Sequence, residues 1–413
     1  MMEEKIILND KRKISLQRAK ELKECARPFV NYKKKENNII FLRQKKSIES
    51  KKKILDILGG TDNEWDDWHW QLRNKITDVD VLDKILGLSE KEKEEINEVA
   101  KHYRWAISPY YLSLIDKDDK DDPIKKISIP SILELDGHGE VDPMHEEYTN
   151  PAGSITRRYP NRLIINVTNA CANYCRHCQR RRRIGECDKA TPLAYINESI
   201  EYIRNNEEIT DVLITGGDPL TLSDEVLEKI IKAVREIEHV EIIRIGTRTL
   251  VTCPQRITPQ FVNMLKKYKP IYINTHFNHP YEITSDSSRA CQLLADNGIC
   301  LGNQMVLLKG INNNKYVVRL LNEKLLQDRV RPYYIFHAKQ VVGTLHFEPK
   351  IEEGLEIMQY LRGNTSGLAI PAYIINAPGG LGKIPILPEY IKKVADNKYI
   401  LTTWEGKKIE YIE

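Results

Sequence analysis

Short runs of β-branched residues alternate with helical windows from about residue 158 onwards, and this alternation limits the possible folds more than any other feature. The runs have the length of strands, whereas the windows between them carry apolar residues at helical spacing. Because the strands lie about 30 residues apart and are followed by helices, we expect parallel βα units with right-handed crossovers. The sequence therefore predicts an α/β fold, a (β/α) barrel that we expect to be partial. The predicted strands are 163–167, 211–215, 240–245, 271–275, 301–308, 330–336 and 369–375, and the predicted helices are 193–206, 224–237, 258–268, 285–297, 315–328 and 352–362.

The first part of the chain has a different composition. Residues 1–150 are rich in lysine and carry helical periodicity, which predicts a helical amino-terminal region. We expect the barrel to occupy residues 151–378, followed by a short carboxyl-terminal segment over residues 379–413.

The overall charge gives no reason to expect a nucleic acid or a membrane as partner. The 413-residue chain has 63 Lys and Arg against 59 Asp and Glu, a net charge of +4. No apolar run approaches the roughly 18 residues that cross a bilayer, and the first residues resemble no export signal. We therefore expect a cytoplasmic protein, whose 8 cysteines stay reduced and can serve metal chemistry.

Three cysteines follow the first predicted strand in the motif C-A-N-Y-C-R-H-C, as Cys171, Cys175 and Cys178. Three thiolates on one irregular loop can each hold one iron of a cubane cluster and leave the fourth iron open to a ligand. A structural zinc is the alternative, but it requires four ligands, and the only neighbour is His177, placed awkwardly between two of the cysteines. The motif therefore predicts a [4Fe-4S] cluster.

The spacing C-x-x-x-C-x-x-C after the first strand of a βα barrel resembles the radical S-adenosylmethionine (radical SAM) superfamily. The motifs W-D-D-W-H-W-Q-L-R-N, L-I-T-G-G-D-P-L, N-T-H-F-N-H-P, R-P-Y-Y-I and A-P-G-G-L-G-K-I-P together resemble the lysine 2,3-aminomutase family. The resemblance implies an isomerase that moves an amino group from C2 to C3 of an amino acid. It also implies three cofactors: the [4Fe-4S] cluster, S-adenosyl-L-methionine as the source of a radical, and pyridoxal 5'-phosphate to hold the substrate.

The same resemblance implies roles for individual residues. Lys383, in the glycine-rich A-P-G-G-L-G-K-I-P, would be the catalytic lysine that binds pyridoxal phosphate, and the glycines would let the backbone approach a flat ligand. At least one of Arg158 and Arg162 would neutralise the cofactor phosphate, and Arg180 would bind the substrate α-carboxylate. The residues expected to line the S-adenosylmethionine pocket are Gly216, Gly217, Asp218, His276 and Gln304.

Two positions depart from the pattern of the lysine-specific members, which carry one aspartate after R-P-Y-Y-I and another before A-P-G-G. Here these positions are Lys339 and Asn376. An acidic pair suited to an ammonium group has become a cation and a neutral amide, so the site should repel a positive side chain. A γ-carboxylate fits this pair, and we expect L-glutamate as substrate and β-glutamate as product.

Several alternatives stay open on the sequence alone. Lysine or another amino acid is the alternative substrate for an aminomutase. The basic run Arg181 to Arg183 leaves open an RNA-modifying radical SAM enzyme, although it is not interleaved with aromatic residues. A zinc-stabilised binding module is a further alternative. For the aminomutase we expect a one-electron reductant such as flavodoxin or ferredoxin, a homo-oligomer, and neither nucleic acid nor membrane as partner.

Overall fold

The amino-terminal region is helical, as predicted. The computed structural model describes residues 2–413, with side chains from residue 10 onwards, and its first helix spans 57 residues. This helix buries Phe29, Ile40 and Ile54 against the rest of the chain, while most of its other described side chains are exposed. The helices of the region are α1 (Met2–Leu58), α2 (Asp62–Trp65), α3 (Trp68–Arg73), α4 (Val79–Leu86), α5 (Glu90–Ala100), α6 (Pro109–Ser113) and α7 (Pro123–Ser128).

A nine-stranded sheet follows, with strands β1 to β9 side by side in chain order. Strands β2 to β8 are parallel, and β1 and β9 are antiparallel edge strands. Within residues 2–413 the two edges do not pair, so the sheet curls without closing, and the predicted α/β partial barrel is confirmed. The strands are β1 (Ile155–Tyr159), β2 (Arg162–Asn166), β3 (Asp211–Thr215), β4 (Ile242–Gly246), β5 (Ile271–Thr275), β6 (Cys300–Leu307), β7 (Val330–His337), β8 (Ala372–Asn376) and β9 (Lys383–Pro385). The helices between them are α8 (Leu193–Arg204), α9 (Asp224–Arg235), α10 (Thr249–Thr252), α11 (Pro259–Lys266), α12 (Ser285–Asp296), α13 (Lys315–Gln327) and α14 (Ile351–Asn364).

Successive side chains of each strand enter two different environments. Ile164, Leu213 and Arg244 form one row across β2, β3 and β4, and all three line a cavity inside the curl. Val212 and Ile214, on either side of Leu213, point to the opposite face and are fully buried. The apolar core therefore lies between the sheet and its helices, and the inner face of the sheet is available for a binding site.

Helix α9 illustrates why the windows between strands become helices. The Ser223 hydroxyl caps the helix by accepting a hydrogen bond from the Val226 backbone N–H at 3.4 Å. Leu227, Ile231 and Val234 recur at helical spacing and are fully buried. Burial of each of these side chains stabilises the fold by about 1.5–3 kcal/mol, so the helix packs on the sheet through one apolar face.

The carboxyl-terminal segment contains strands outside the predicted set. Strand β9 pairs with β8 and places Lys383 opposite Asn376. Strands β10 (Ile391–Ala395), β11 (Lys398–Thr402) and β12 (Lys408–Ile412) form a separate antiparallel sheet. Glu405, in the turn between β11 and β12, lies 2.8 Å from Arg18 Nη2 of α1, so this sheet contacts the amino-terminal region. Among residues 2–413, every helix lacks the length or the apolar character needed to cross a membrane.

Candidate active site

A cavity of about 700 Å³ lies inside the curl, where the carboxyl ends of the parallel strands meet. Its volume is in the range of small-molecule sites, about 300–1,000 Å³, and its position is the one that chemistry occupies in (β/α) folds. The structure brings almost all of the predicted site residues to its wall. Those that line it are Cys171, Cys175, Cys178, Lys383, Arg158, Gly216, Gly217, Asp218, His276, Gln304, Arg180, Lys339 and Asn376.

The loop after β2 places the three cysteines beside protein donors. Arg248 Nη1 donates to Cys175 Sγ at 2.7 Å, and the Arg180 backbone N–H donates to Cys178 Sγ at 3.4 Å. Such donors favour the thiolate form that iron binds. Burial raises the pKa of Cys171 and of Cys178, and iron opposes this effect because a coordinating thiol is deprotonated outright. The donor set fits a cluster that takes one thiolate on each of three irons.

The cysteine side chains are not grouped around one point. Over the described residues 2–413, no three Cys, His, Asp or Glu side chains lie close enough together to hold a single metal ion. His177, the other residue considered as a zinc ligand, has a buried Nδ1 without a hydrogen-bond partner in that part of the chain, and its Nε2 lies 3.5 Å from Asn278 Nδ2.

Two anchors fix the cysteine loop. Arg176, within the motif, donates from Nε and Nη2 to the fully buried Glu134 carboxylate at 2.9 and 2.6 Å, and Arg181 Nη2 reaches the same carboxylate at 2.6 Å. From the other side, the backbone of Gly216 and Gly217 lies against the start of the loop. A Cβ at either position would come within 2.3 or 2.4 Å of a loop carbonyl oxygen, so this contact requires glycine.

Asp218 and Arg248 form a buried network behind the cysteines. The Asp218 carboxylate accepts hydrogen bonds from Thr247 Oγ1 at 2.6 Å and from the Arg248 backbone N–H at 2.8 Å. Arg248 Nη2 donates to Glu282 Oε1 at 2.6 Å and to the Tyr111 hydroxyl at 2.8 Å. Burial raises the pKa of Asp218, while these donors stabilise its charged form. Asp218 therefore orients the backbone that carries Arg248.

His276 follows β5 and Gln304 lies on the neighbouring strand β6, and both line the cavity. Burial, together with the positive charge of Arg248, lowers the pKa of His276 to about 4. The imidazole is therefore neutral near pH 7 and can both donate and accept a hydrogen bond. The Gln304 side-chain amide offers the same two functions.

Lys383 begins β9 at the mouth of the cavity. Its Nζ lies 5.3 Å from the centroid of the Tyr159 ring and 5.7 Å from that of Tyr334. The residue is exposed overall, but partial burial of its ammonium group, followed by the charges of Arg162 and Arg244, lowers the pKa of Lys383 to about 8. A larger neutral fraction makes this amine a better nucleophile. Arg162 does not line the cavity; it lies 4.1 Å above the Tyr159 ring and acts on Lys383 through its charge.

Lys339 and Asn376 face the cavity from the ends of β7 and β8. Within residues 2–413, Lys339 Nζ makes no ion pair or hydrogen bond, and the buried Asn376 Nδ2 also lacks a partner. Burial and the positive charges of Arg158 and Arg180 lower the pKa of Lys339 to about 7. Two donors therefore reach the cavity without an acceptor from the described chain.

Arg158 and Arg180 share one acceptor, Glu146, which lies in a 3-10 turn before β1. Arg158 Nη2 donates to Glu146 Oε1 at 2.9 Å, and Arg180 Nε reaches the two carboxylate oxygens at 3.0 and 3.1 Å. Glu146 and Glu134 are absent from the predicted site because acidic residues in a highly charged region give no sequence signal that distinguishes them from their neighbours. Arg248 does carry a signal, since it follows β4 where chemistry is expected.

Comparison with known proteins decides the family. Residues 165–321 match the radical SAM superfamily, and residues 358–413 match the family described as lysine-2,3-aminomutase. The chain is 59% identical over 405 residues to glutamate 2,3-aminomutase of Clostridioides difficile (strain 630), covering 98% of this chain and 96% of the relative. It is 49% identical over 355 residues to L-lysine 2,3-aminomutase of Clostridium subterminale, covering 86% of this chain and 85% of the relative.

The chain belongs to the lysine 2,3-aminomutase family of the radical SAM superfamily.

Membership confirms the predicted class of enzyme, an isomerase that moves an amino group, and it excludes a zinc-stabilised binding module. It also confirms the predicted cofactors, because this family uses a [4Fe-4S] cluster, S-adenosyl-L-methionine and pyridoxal 5'-phosphate. The radical SAM match contains the end of β2, the cysteine motif and strands β3 to β6, whereas the second match contains β8 to β12 and Lys383. Family members with different substrates are thus similar over both regions, and the side-chain site must distinguish them.

Proposed function

We propose that this aminomutase moves the amino group of L-glutamate from C2 to C3 and so produces β-glutamate. The observation that carries the proposal is the pair of unpartnered donors at Lys339 and Asn376 in the cavity wall. A γ-carboxylate would supply both with an acceptor, and the ammonium form of Lys339 would gain a charge-assisted hydrogen bond. The ammonium group of a lysine substrate would instead meet the like charge of Lys339, and the nearby Glu146 carboxylate is already paired with Arg158 and Arg180.

The charge of the rest of the cavity supports an anionic ligand. Cationic side chains outnumber carboxylates in its wall: beside Lys339 they include Arg158, Arg180, Arg183, Arg244 and Lys383, against Glu146 and Asp218. The substrate bound to pyridoxal phosphate would carry an α-carboxylate, a γ-carboxylate and a phosphate, all negative. Because a buried anion requires a paired cation, such a cavity favours glutamate over any substrate with a positive side chain.

Each predicted residue has a role in this proposal. The thiolates of Cys171, Cys175 and Cys178 would hold the cluster, and Arg180 would pair with the α-carboxylate in a planar fork. When bound, the cofactors supply a carbon-centred radical and an electron-accepting ring for the migrating nitrogen. Lys383 would hold and release pyridoxal phosphate. The remaining ligand contacts would come from Arg158 at the phosphate, with Arg162 contributing its charge from outside the cavity wall. Gly216, Gly217, Asp218, His276 and Gln304 would lie around S-adenosylmethionine.

The relatives give this substrate assignment independent support. The relative at 59% identity is named for glutamate, whereas relatives named for lysine are 49% and 42% identical, the latter from Bacillus subtilis (strain 168) with 85% of this chain and 75% of the relative covered. The higher overall identity to the relative named for glutamate thus supports the same substrate as the Lys339 and Asn376 pair.

The decisive experiment offers glutamate and lysine in competition and identifies the products. The wild type should rearrange glutamate and leave lysine unchanged. Lys339→Ala should lose about 2 to 5 kcal/mol of transition-state binding, a fall of roughly 30- to 5000-fold in kcat/KM for glutamate. Lys309→Ala, at an exposed lysine after β6, is the matched control and should be unaffected.

A second variant tests discrimination by repulsion. Lys339→Asp combined with Asn376→Asp restores an acidic pair and should shift preference toward lysine, and Lys339→Ala alone should tolerate lysine better than the wild type. Efficient turnover of lysine by the wild type, or glutamate turnover that is indifferent to Lys339→Ala, would refute the assignment.

We further propose a cytoplasmic location, a one-electron reductant such as flavodoxin or ferredoxin, and assembly into a homo-oligomer without nucleic acid. A reducing compartment suits a chain whose eight cysteines are all unpaired with one another. Size-exclusion chromatography with light scattering tests the assembly, and reduction of the cluster by purified donor proteins tests the electron source.

A further inference from the structure

The buried carboxylate of Glu146 lies where the predicted substrate site and the predicted cofactor site meet. Its side chain is only 2% exposed, and four arginines surround it. Arg158 Nη2 and Arg180 Nη2 each lie 2.9 Å from Oε1, while the nearest nitrogens of Arg182 and Arg183 are 3.7 and 3.5 Å from the carboxylate.

The contact with Arg180 occupies one particular edge of the guanidinium group. Nε and Nη2 both face the Glu146 carboxylate. The opposite edge, formed by Nη1 and the second hydrogen of Nη2, is therefore left for a ligand, and Arg180 lines the cavity. A carboxylate bound at that edge would make the bidentate pair that arginine geometry favours. Glu146 thus selects the orientation in which Arg180 meets the ligand.

The same segment contacts the loop that carries Lys383. The Gly379 backbone N–H donates to the Pro143 carbonyl at 2.9 Å. A Cβ on Gly380 would lie 2.7 Å from the Met144 carbonyl oxygen, so this loop packs directly on the backbone just before Glu146. A displacement of this segment would therefore reach the residues around Lys383.

We propose that Glu146 is a positioning residue that holds the α-carboxylate arginine Arg180 and the cofactor-phosphate arginine Arg158 in one arrangement, so that substrate affinity and pyridoxal phosphate affinity depend on a single carboxylate. The charges of Arg180, Arg183 and Arg158 overcome the effect of burial and lower the pKa of Glu146 to about 2. Glu146 therefore stays anionic throughout the working pH range, as a counter-ion and not as a proton donor. Without this charge the arginines would repel one another and lose their common orientation.

The inference rests on the proposed role of Arg180 but not on glutamate as substrate. Every α-amino acid carries the α-carboxylate, so the test uses whichever of glutamate and lysine the wild type rearranges. If that substrate is lysine, the proposed function fails while the role of Glu146 can still be measured.

The test compares Glu146→Gln with Glu147→Gln. Glu147 is 73% exposed and lies 3.7 Å from Arg182, so it is a matched control in the same turn. Glu146→Gln should raise KM about 10- to 100-fold with a smaller change in kcat, the scale expected when a residue supporting a ligand contact is removed. The affinity of the cofactor-free protein for pyridoxal 5'-phosphate, measured by absorbance titration, should also fall. Glu147→Gln should change neither quantity.

Further measurements separate positioning from a general loss of structure. The iron content of Glu146→Gln should stay near the wild-type value, whereas its melting temperature should fall, because one partner of a buried ion-pair network has been removed. Glu146→Asp, which keeps the charge, should recover part of the lost stability and part of the lost affinity. In a double-mutant cycle, the KM effects of Glu146→Gln and Arg180→Lys should not be additive, because both changes remove the same arrangement.

Opposite results would overturn the inference. These are KM and pyridoxal phosphate affinity within twofold of wild type in a folded Glu146→Gln, or a loss of iron in proportion to the loss of activity. If Glu146→Gln does not fold, Glu146→Asp decides, because a carboxylate withdrawn by one methylene should raise KM in a folded enzyme. A wild-type KM in Glu146→Asp would then refute the role.

Discussion

Arg248 donates a hydrogen bond from Nη1 to Cys175 Sγ at 2.7 Å. Glu282 and Tyr111 bind Nη2 of the same guanidinium group, so its orientation toward the thiol is fixed. Hydrogen bonds to cysteine sulfur are among the factors that set the potential of an iron-sulfur cluster. With the cluster bound at the three cysteines, a cationic donor at this position would stabilise the additional negative charge of its reduced form. Arg248 is therefore suited to control how readily an electron enters.

Replacing Arg248 by lysine should make the reduction potential of the cluster more negative. Lysine keeps the charge but lacks the fork that reaches both Cys175 and Glu282. A redox titration followed by electron paramagnetic resonance measures the potential. The exposed Arg289 provides the control change, Arg289→Lys, which should have no effect. An unaltered potential in an Arg248→Lys protein with full iron content would contradict this role.

Cys175→Ser should abolish iron-sulfur absorbance and turnover, because three protein thiolates are needed to hold three irons. Cys187→Ser removes an exposed cysteine near the same loop and should leave both unchanged. Absorbance spectra and iron analysis of anaerobically reconstituted proteins make the comparison. A complete cluster in Cys175→Ser would show that the iron ligands are assigned wrongly.

Borohydride reduction of the holoenzyme should link pyridoxal phosphate to a peptide that contains Lys383. Because the pKa of Lys383 is lowered to about 8, attachment of the cofactor to cofactor-free protein should accelerate as pH rises through about 8 and then level off. Arg162→Gln removes one of the charges that lower this pKa, so the midpoint should move to higher pH. Peptide mapping by mass spectrometry checks the attachment site, and Lys392→Arg on the exposed strand β10 is the control.

The affinity for glutamate should weaken at alkaline pH. The pKa of Lys339 is lowered to about 7, so the free enzyme loses the cationic form as pH rises through that value, and a γ-carboxylate must then restore a proton to it. KM should rise above pH 7 by at most about tenfold per pH unit, and the Lys339→Ala variant should lose this dependence. Calorimetry in buffers of different ionisation enthalpy should detect proton uptake on binding above pH 7. Binding without proton uptake would count against a pairing between Lys339 and the substrate.

Glu134→Ala should destabilise the protein by about 3–5 kcal/mol, the usual loss when one partner of a buried ion pair is removed. Glu134 is fully buried, and the change would leave Arg176 and Arg181 without their shared carboxylate. Urea unfolding monitored by circular dichroism measures the loss. Glu389→Ala, at an exposed site, should stay within the scatter of surface substitutions.

The alternating pattern of the sequence predicts the parallel strands closely. The predicted strands 211–215 and 271–275 coincide with β3 and β5. These strands read clearly because they are buried on one face under helices, so apolar β-branched residues dominate them. Strand β9 cannot be read in this way, since its three residues Lys-Ile-Pro are exposed and pair only because the chain folds back on β8.

The residues of the site also fall into those that the sequence identifies and those that only the structure reveals. Motif residues such as Cys171 and Lys383 can be assigned because neighbouring sequence identifies them, and the structure brings them to one cavity. Glu146 cannot, because its importance arises from contact with arginines 12 and 34 positions away in the chain. Interactions between separate segments have no local pattern, and only the folded chain brings them together.

The order of strands in the open sheet separates the predicted cluster-binding loop from the residues proposed to select the substrate. The cysteine loop follows β2, near one edge of the sheet, whereas Lys339 follows β7 and Asn376 ends β8, near the other edge. With the roles proposed above, substitutions at Lys339 and Asn376 can change the preferred substrate without altering the cysteine loop that would hold the iron-sulfur cluster. Enzymes with this fold can therefore acquire a different substrate specificity in evolution through very few amino-acid substitutions.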